Sequence, residues 1–365
     1  MRILITGGAG FVGSSFAQMF KRDRADVQIC AFDNLKRRGS ELALERLRAC
    51  GVEFVHGDVR SPDDLADAGA FDLLLECSAE PSVHAGYQGN PSYVVHTNLT
   101  GTINCLEAAR RHDADVIFLS TSRVYPITGL RALPLERRGE RLDIPEGASG
   151  TGWSARGLST DFPLTGFRSM YGATKLASEL LIEEYRAMYG LRTVVNRCGV
   201  ISGPWQMGKV DQGFLVLWAA RHLYGGSLSY IGFGGEGHQV RDVLHVADLY
   251  NLIRCQVADI ERQSGGVHNV GGGRTHSVSL AELTALCRER AGRTLQVASI
   301  PRTTDADVPY YITDNTAITA ATGWTPARSV ETVLDEVFAW LREHRATLEP
   351  VLSAAAPVAT APAAS

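Results

Sequence analysis

The sequence predicts an α/β protein built on a doubly wound parallel sheet, with a smaller lobe in the C-terminal half. In the first 200 residues, short apolar runs rich in β-formers alternate with longer helical patterns, which is typical of a parallel sheet. Glycines follow the first of these runs, where it passes into a helix. From Ile201 onward the alternation is less regular, and this change predicts a separate lobe that covers the ligand crevice.

The individual elements follow from these runs. Strands are predicted at residues 2–6, 28–33, 53–56, 73–77, 116–120 and 193–197. Helices are predicted at residues 11–22, 40–49, 98–111 and 171–189, and in the lobe at residues 279–291 and 330–344. Right-handed crossovers between the strands place the ligand crevice at their carboxyl ends.

Composition narrows the class of partner. The 365 residues are 45% hydrophobic and 21% charged, which are ordinary values for a globular protein. A net charge of −4 and a pI near 6.2 provide no broad basic field, so we expect no nucleic-acid partner. A few placed arginines are still sufficient to hold an anionic small molecule.

Cysteine and histidine spacing argues against a metal site. Neighbouring cysteines among the seven are at least twenty positions apart, so we expect buried free thiols in a reducing compartment. The ten histidines form neither HxxxH nor HxH pairs, so no structural metal is expected. An apolar strand follows Met1 directly and no apolar run approaches ~18 residues, which predicts a cytoplasmic protein with no membrane partner.

The segment TGGAGFVG links the first predicted strand to the first helix. Gly7, Gly10 and Gly13 permit a tight turn there and let backbone N–H groups approach a pyrophosphate at the helix N-terminus. Asp33 ends the second strand, twenty residues past Gly13. A carboxylate at that position hydrogen-bonds the adenosine ribose hydroxyls and repels a 2′-phosphate. These residues predict a Rossmann domain that binds NAD.

Two further features near this site leave alternatives open. The basic run LKRRG at residues 35–39 has the charge to neutralise the 2′-phosphate of NADP, although Asp33 favours NAD. Asp58 and Val59, after the third strand, are candidates for contact with the adenine. A simple turn at the end of a strand is the alternative interpretation of that pair.

The motif YGATK, from Tyr171 to Lys175, is the strongest indication of catalysis. Positions i and i+4 share one face of a helix, so the phenol and the ammonium point into the same space. A nearby ammonium favours the phenolate and lowers a pKa that is about 10 when unperturbed, which makes Tyr171 a usable general base. A solvated pair on a surface helix is the alternative. Thr121, at the end of the preceding strand, is the candidate hydroxyl that bonds the reacting oxygen.

Taken together, these residues resemble the extended short-chain dehydrogenase/reductase family of nucleotide-sugar enzymes, over about residues 1–345. In that family NAD⁺ takes a hydride from a sugar carbon while the tyrosine removes the hydroxyl proton. The resemblance implies that Tyr171 is the base, that Lys175 orients the ribose and tunes Tyr171, and that Thr121 polarises the oxygen. It also implies a cofactor site formed by Gly7, Gly10, Phe11, Val12, Gly13, Asp33, Asn34, Asp58, Val59, Ala79, Asn98, Ser120, Tyr171 and Lys175.

The domain organisation is predicted from the same pattern. Residues 1–200 are expected to form the NAD-binding Rossmann domain, and residues 237–273 are expected to return to it. Residues 201–350 are expected to form mainly the substrate-binding lobe. Residues 351–365 are almost wholly Ala, Pro, Ser, Val and Thr, which cannot build a core, and we expect a disordered tail.

The branch of the family depends on the two positions after Thr121. Dehydratases of the family place an Asp-Glu pair there, one member of which protonates the departing hydroxyl, whereas this chain has Ser122 and Arg123. Several segments are similar instead to the CDP-paratose 2-epimerases, also called CDP-tyvelose epimerases. They are FDNLKRRGS from Phe32, the fifty-residue interval from Thr121 to Tyr171, LSTDFPL before Tyr171, KVDQGF from Lys209 and GHQVRDVLHVADL from Gly237.

The resemblance also implies a substrate site formed by Ser122, Gln212, Arg241, Arg302 and Asp307. In related enzymes the arginine of the VRD motif meets the substrate diphosphate, and a bidentate guanidinium at Arg241 suits a phosphate. A salt bridge from Arg241 to Asp242 or Asp248 is the alternative. Thr304 stands where the family usually has arginine, which weakens the comparison at Asp307. Glu80 is either a substrate group or a surface-turn residue, and the role of residues 126–165 is open.

The sequence therefore predicts an NAD-dependent epimerase acting on a sugar nucleotide, with 2-epimerisation of a CDP-sugar as the first interpretation. Carbon 2 is oxidised transiently in such enzymes and the same hydride returns to the other face. A UDP-sugar 4-epimerase needs the same triad and is the nearest alternative. A non-catalytic NAD-sensing protein on the same fold is the alternative from another class. Relatives commonly pair through the YxxxK helix, so a homodimer is expected.

Overall fold

A seven-stranded, all-parallel sheet organises the computed structural model, which describes residues 1–87, 89–208 and 212–353. Its strands are β1 (Arg2–Thr6), β2 (Gln28–Asp33), β3 (Glu53–His56), β4 (Leu73–Glu76), β5 (Asp115–Thr121), β6 (Thr193–Cys198) and β7 (Val267–Val270). The spatial order is β3-β2-β1-β4-β5-β6-β7. The order therefore reverses between β1 and β4, which is the switch point at which a doubly wound sheet binds its ligand.

Helices cover both faces of this sheet. They are α1 (Phe11–Asp23), α2 (Ala43–Ala49), α3 (Pro62–Asp67), α4 (Gly101–His112), α5 (Met170–Tyr189) and α6 (Val246–Ala258). Successive strand residues point to opposite faces, so Ile3 and Ile5 pack in the core under α1, α2 and α6, whereas Leu4 packs in the core under α3, α4 and α5. The predicted doubly wound α/β architecture is confirmed.

The predicted element bounds agree with the structure to within a few residues, with two differences in the helices. The 40–49 segment begins as a 3₁₀ turn at Ser40–Leu42 before α2. The 98–111 segment is preceded by a π-helical turn, His96–Thr100, and α4 begins at Gly101 after a short helix at Ser92–Val95. The edge strand β7 was not among the predicted strands because VHNV is short and half polar.

The insertion between β5 and α5 forms its own small structure. It contains the helix Ile127–Arg131, the hairpin Glu136–Arg138 with Arg141–Asp143, and the short strands Ser149–Gly150, Trp153–Ser154 and Gly157–Leu158. Its apolar side chains share a core with Val240 and with residues 308–312. The insertion therefore supports the segments of the lobe that face the carboxyl ends of the strands.

The C-terminal lobe combines small sheets with four helices. Val240–His245 pairs with Val200–Ser202, Ser277–Ser279 and Tyr310–Tyr311, and Leu228–Ile231 pairs with Val297–Ile300. One apolar cluster joins Phe214–Tyr224, Leu280–Ala291, Val330–Glu343 and Arg345–Leu352. Two short helices of the C-terminal half, Ile260–Gln263 and Thr316–Thr322, lie outside this cluster. The chain returns to the central sheet through α6 and β7 before entering the lobe again.

The C-terminal end differs from the expected tail. Val351 and Leu352 belong to the last helix, and Leu352 is 3% exposed, so the boundary at residue 351 is wrong by at least two residues. The predicted disorder of residues 354–365 lies outside the described residues, as does the KVD portion of the KVDQGF segment. Within the described part of the chain, no helix combines the length and apolarity needed to cross a membrane.

Candidate active site

The glycine-rich turn is shaped by close backbone packing. Gly7 has φ +65°, and a Cβ on Gly7, Gly8 or Gly13 would lie closer than 3.0 Å to backbone atoms. Gly10 differs, because its Cβ would meet nothing within 4 Å except Gly7. Gly10 also begins α1 without a side-chain cap, and the first turn of α1 has no acidic residue. The N–H groups of this helix end therefore face open space that a pyrophosphate fits.

Asp33 reaches back to the same turn. Its Oδ2 accepts a hydrogen bond from the Ala9 N–H at 3.1 Å, and its Oδ1 accepts one from the Leu35 N–H at 2.8 Å. Burial raises the pKa of this carboxyl, and the backbone donors at Leu35 and Ala9 act in the opposite direction. The carboxylate is thus fixed at the end of β2, where the ribose of a dinucleotide would lie.

The basic residues after Asp33 are all engaged elsewhere. The Lys36 ammonium lies 3.4 Å from the centroid of the Tyr93 ring. Arg37 donates to Gln212 and, at 2.9 Å, to the Met207 carbonyl. Arg38 donates to the Pro350 carbonyl. With these cations held by protein groups, Asp33 is left to set the selectivity, which supports NAD over NADP.

Gln212, expected at the substrate, therefore lies beside the loop that follows Asp33. Nearby, Asn34 Nδ2 donates to Asp58 Oδ2 at 2.9 Å, and Arg60 forms an ion pair with Asp58 that lowers the pKa of this carboxyl. Val59 is 6% exposed and packs against α4 at Gly101. These contacts give Asp58 and Val59 a structural role at the edge of the site.

Asn98 acts on the loop after β4 through its side chain. Its Oδ1 accepts from the Glu80 N–H at 2.7 Å, and its Nδ2 donates to the Glu80 carbonyl at 3.1 Å and to Thr174 at 3.2 Å. The side-chain amide of Asn98 thereby connects the loop that contains Ala79 and Glu80 to helix α5. The Glu80 carboxylate accepts from the Ser82 N–H at 3.2 Å.

Thr121 and Tyr171 meet at the carboxyl end of β5. The Thr121 hydroxyl lies close enough to the phenol of Tyr171 to lower the pKa of that phenol. Ser169 caps α5 by accepting from the Gly172 N–H at 3.2 Å. A Cβ on Gly172 would lie closer than 3.0 Å to the Arg123 carbonyl, so the start of α5 packs directly on the turn after Thr121. The predicted pair of hydroxyls is therefore brought together.

Burial governs the acidity of Tyr171. It raises the pKa of the phenol to about 12, while the Thr121 hydroxyl and the Arg123 charge lower it and the Cys198 and Glu80 charges raise it. Without a bound ligand the phenol is thus protonated at neutral pH.

The side chain of Lys175 is buried against an aromatic ring. The residue is 2% exposed, and its ammonium lies 3.7 Å from the centroid of the Phe118 ring. Burial lowers the pKa of Lys175, and the charges of Glu76 and Glu179 raise it. In this structure the groups that lower the pKa of Tyr171 are Thr121 and Arg123.

The Ser120 side chain belongs to a buried polar network that was not predicted from the sequence. Its hydroxyl donates to Glu179, whose carboxylate accepts from Arg197 at 2.8 Å. Arg197 also donates to the Tyr125 hydroxyl at 3.3 Å, and that hydroxyl donates to Asn269 at 2.6 Å. The Ser120 side chain thus serves this network. Glu179 was detectable, because it lies four residues after Lys175 on the same helix face.

Three arginines hold the loop between Pro301 and Pro309. Arg123 donates to the Ala306 carbonyl at 3.2 Å, and Arg131 donates to the Asp307 carbonyl at 3.0 Å and the Thr304 carbonyl at 2.6 Å. Arg241 donates to the Val308 carbonyl at 2.6 Å. These guanidinium groups come from distant parts of the sequence and converge beside Tyr171.

The positive charge in this cluster exceeds the negative charge. Burial, helped by the nearby charge of Arg123, lowers the pKa of Arg241 to about 9, while the charges of Asp307 and Asp242 act in the opposite direction. The suggested salt bridge from Arg241 is wrong, because Asp242 accepts from the Gly273 and Thr313 N–H groups and Asp248 pairs with Arg328. An anion is therefore the complement that this cluster lacks.

The remaining predicted substrate residues are placed differently. Asp307 lies within the charged cluster and accepts from the Thr304 hydroxyl at 2.8 Å. Arg302 is exposed on the same loop. Ser122 lies between Thr121 and Arg123 in a 3₁₀ turn and is partly exposed. Among the described residues, no group of three or more His, Cys, Asp or Glu side chains is arranged to hold a metal ion.

A family model and two curated proteins resemble this chain. The model of the NAD dependent epimerase/dehydratase family matches residues 3–271. The CDP-paratose 2-epimerase of Salmonella typhi is 30% identical over 353 residues, covering 93% of this chain and 99% of that protein. The dTDP-glucose 4,6-dehydratase of Streptomyces niveus is 30% identical over 360 residues, covering 97% of this chain and 96% of that protein.

A solved structure supports the fold. The UDP-glucose 4-epimerase of Thermotoga maritima, in a crystal structure with UDP-glucose, superposes with a TM-score of 0.74 at 24% identity, over 94% of this chain and 100% of that one. The similar proteins have three different activities. The comparisons therefore identify a family and its nicotinamide cofactor, and the choice of reaction depends on the residues around Tyr171.

Proposed function

The chain belongs to the NAD dependent epimerase/dehydratase family, and on that premise we propose that it is a sugar-nucleotide epimerase that inverts carbon 2 of a CDP-sugar of the paratose/tyvelose type. The observation that carries the proposal is that the Thr121 hydroxyl and the Arg123 charge both act on the Tyr171 phenol and lower its pKa. A proton-abstracting phenol is present there, and Arg123 occupies a position at which the related dehydratases have an acid.

The proposed reaction needs one proton to leave and return. Tyr171 removes the proton from the sugar hydroxyl while Thr121 donates a hydrogen bond to the reacting oxygen. NAD, when bound, would supply reversible hydride transfer at the sugar carbon. Because the same proton and hydride come back, the reaction has no net redox change.

Tyr171 must lose its proton to act, and its pKa of about 12 works against this. Arg123 stabilises the phenolate electrostatically, since its charge lowers that pKa. We propose that Lys175 orients the nicotinamide ribose and adds to this stabilisation once a ribose fills the space between the ammonium and the phenol. The Gly10 surface and Asp33 are the residues that would hold the pyrophosphate and the adenosine ribose.

The lobe supplies the proposed site for the substrate's diphosphate. Arg123 and Arg241 repel each other in a partly buried cluster, and a diphosphate would satisfy both. We propose that the elements of 201–350 outside α6 and β7 act as the substrate-binding lobe. Asp307 and Arg302 would meet the nucleotide from the same loop.

The position of the transient ketone tests the proposal. Reducing the trapped intermediate with borodeuteride and locating deuterium by NMR distinguishes carbon 2 from carbon 4. Deuterium at carbon 2 of a CDP-sugar is expected. Deuterium at carbon 4 of a UDP-sugar would establish the competing 4-epimerase instead, and a 4-keto-6-deoxy product would establish a dehydratase.

The Tyr171→Phe variant tests whether the chain is catalytic at all. Loss of the general base is expected to lower kcat by roughly 10²–10⁴-fold while the NAD content of the purified protein stays the same. Tyr189→Phe, at the exposed end of the same helix, is the matched control and should retain full turnover. Equal turnover of Tyr171→Phe and wild type would favour an NAD-sensing protein.

We further propose a homodimer formed through α5, in keeping with a cytoplasmic enzyme. The helix exposes Leu180 at 65%, Met188 at 66% and Tyr189 at 49%, which is unusual for large apolar side chains on one helix. Sedimentation equilibrium of the wild type and of Leu180→Asp tests this assembly, with a dimer expected for the first and a monomer for the second.

A further inference from the structure

A buried carboxyl group lies beneath the catalytic helix. Glu76 ends β4 and is 1% exposed, in a strand whose other residues, Leu73, Leu74 and Leu75, are apolar. Its Oε1 accepts a hydrogen bond from the Thr102 hydroxyl at 2.5 Å. Its Oε2 has no hydrogen-bond partner among the described residues. Burial raises the pKa of this carboxyl, whereas the charge of Lys175 and the Thr102 hydrogen bond lower it.

Sheet register places this carboxyl next to Lys175. Glu76 and Phe118 are directly paired across β4 and β5. Glu76 points to the same face as Leu74, which shares a core with Phe118. The Lys175 ammonium lies 3.7 Å above the Phe118 ring on that face. The lone acid of β4 and the lysine of the YxxxK motif thus share one buried space.

The other charged and titratable groups around this space are few. Glu179 lies one turn after Lys175 on α5, but its carboxylate is committed to Arg197 and Ser120. Cys77 and Cys198 approach Lys175 from the ends of β4 and β6, and burial raises the pKa of both thiols, so they stay neutral. Cys105 on α4 is likewise buried and neutral. Glu76 is therefore the acid left to balance the ammonium.

We propose that Glu76 is a positioning residue that acts through Lys175, as the buried counter-ion that keeps the lysine protonated and directed at the cofactor site. The inference rests on the proposed function for the importance of Lys175, but not for the pairing itself. Burial alone disfavours an ammonium, and an anion in the same apolar space restores it. The Phe118 ring adds a cation–π contact from below.

Lysine NMR tests the pairing without reference to activity. The chain has only four lysines, Lys21, Lys36, Lys175 and Lys209, so selective ¹³Cε labelling gives a resolvable set of signals. The Lys175→Met variant identifies the signal of interest. In the NAD-saturated wild type, Lys175 is expected to remain an ammonium at neutral pH, and a neutral amine there would overturn the proposal.

Two isosteric variants separate charge from hydrogen bonding. Glu76→Gln is expected to lower the pKa of Lys175 by about one unit or more, because the opposite charge is lost while the shape is kept. Thr102→Val removes the hydrogen bond to Glu76 but leaves the carboxyl group, and is expected to change the pKa of Lys175 less. Equal pKa values in wild type and Glu76→Gln would disprove the pairing, and should Glu76→Gln fail to fold, the wild-type titration still decides.

The pH profile of turnover provides the mechanistic readout. The active form needs a protonated Lys175, so a lower pKa of the lysine moves the alkaline limb of kcat to lower pH in Glu76→Gln. KM at neutral pH should stay close to the wild-type value, since Glu76 does not touch the substrate. A uniform loss of kcat at every pH would indicate a purely structural role. A wild type without turnover would refute the proposed function, and the NMR titration would still test Glu76.

Discussion

The two ends of the site are built in different ways. At the nucleotide end, the turn from β1 to α1 is set by close backbone packing, in which Gly13 lies on Gly7, Gly8 lies on Ala31 and Gly7 lies on Cys77. At the sugar end, side chains from distant positions meet. Arg123 reaches Ala306, and Arg241 reaches Val308. The nucleotide end thus depends on close packing of backbone atoms, and the sugar end depends on polar contacts between residues that are distant in the sequence.

This difference explains how one scaffold can serve several reactions. A backbone turn that a Cβ would disrupt has little freedom to vary, so it keeps the cofactor in one place. The sugar end depends on individual side chains such as Ser122, Arg123 and Glu80, which can change without altering the sheet. The substrate and the outcome of the reaction are therefore expected to depend on the second end.

The largest effect is expected from the ion pair below the sugar end. Arg197 and Glu179 are 7% and 5% exposed, and Glu179 fixes α5 against β5 and β6. Glu179→Gln leaves a buried guanidinium without its counter-charge, and is expected to lower the free energy of unfolding by about 3–5 kcal/mol. Urea unfolding of the wild type and the variant measures this change.

A double variant distinguishes the ion pair from simple packing. Combining Glu179→Gln with Arg197→Met removes both charges, and should recover part of the lost stability because no unpaired charge remains buried. Additive losses in the double variant would contradict an electrostatic explanation. The surface pair Glu183 and Arg186 on the same helix is the matched control, since Glu183→Gln should cost less than about 1 kcal/mol.

Most of the fold and the nucleotide end could be predicted from the sequence because their signals are local. Alternating apolar runs predicted six of the seven strands of the sheet. Strand β7 was not predicted, because its sequence VHNV is short and half polar. The spacing from Gly13 to Asp33 predicted a carboxylate for the adenosine ribose, and the structure places this carboxylate beside the glycine-rich turn, where it accepts from the Ala9 N–H. NAD dependence follows from the family.

The sugar end could be predicted only in part. Tyr171 and Thr121 were selected from a motif and a strand end, but the buried surroundings of Lys175 were not predicted, because Glu76 is 99 positions away in the sequence and only the pairing of β4 with β5 brings it beside Phe118. The contacts of Arg123 and Arg131 to residues 304–307 join segments about 180 positions apart, and no local pattern encodes them. The contact of Gln212 with Arg37 was missed for the same reason, and the substrate role of Gln212 stays a prediction.

An intermediate effect is expected from two glycine variants at the nucleotide end. Gly13→Ala places a methyl group against the Gly7 carbonyl and should lower the free energy of unfolding by about 1–3 kcal/mol. Gly10→Ala brings its methyl group only against the Gly7 carbonyl oxygen, at 3.0 Å compared with 2.3 Å for Gly13→Ala, so stability should fall less while NAD affinity falls. Thermal unfolding of NAD-free protein and calorimetric titration with NAD measure the two quantities separately.

The pattern across these variants is the informative result. If Gly13 serves backbone packing and Gly10 serves the approach of NAD, Gly13→Ala should mainly lower the free energy of unfolding. Gly10→Ala should mainly lower the affinity for NAD. Equal losses of both quantities in both variants would show that the turn is not divided in this way, and that the cofactor itself maintains the packing of α1.

The smallest effect is expected from Arg131, which is exposed yet donates to three carbonyls of the 304–307 segment. Arg131→Ala should lower the free energy of unfolding by no more than about 1 kcal/mol, because solvent replaces exposed hydrogen bonds. The loop that carries Asp307 would become less ordered, so KM for the sugar nucleotide should rise while NAD affinity stays constant. Arg137→Ala, which loses contacts with Gly139, Glu140 and Glu236, should leave KM unchanged. A fall in NAD affinity for Arg131→Ala would mean that the two ends of the site are coupled, because nothing in the nucleotide end contacts this arginine in the described part of the chain.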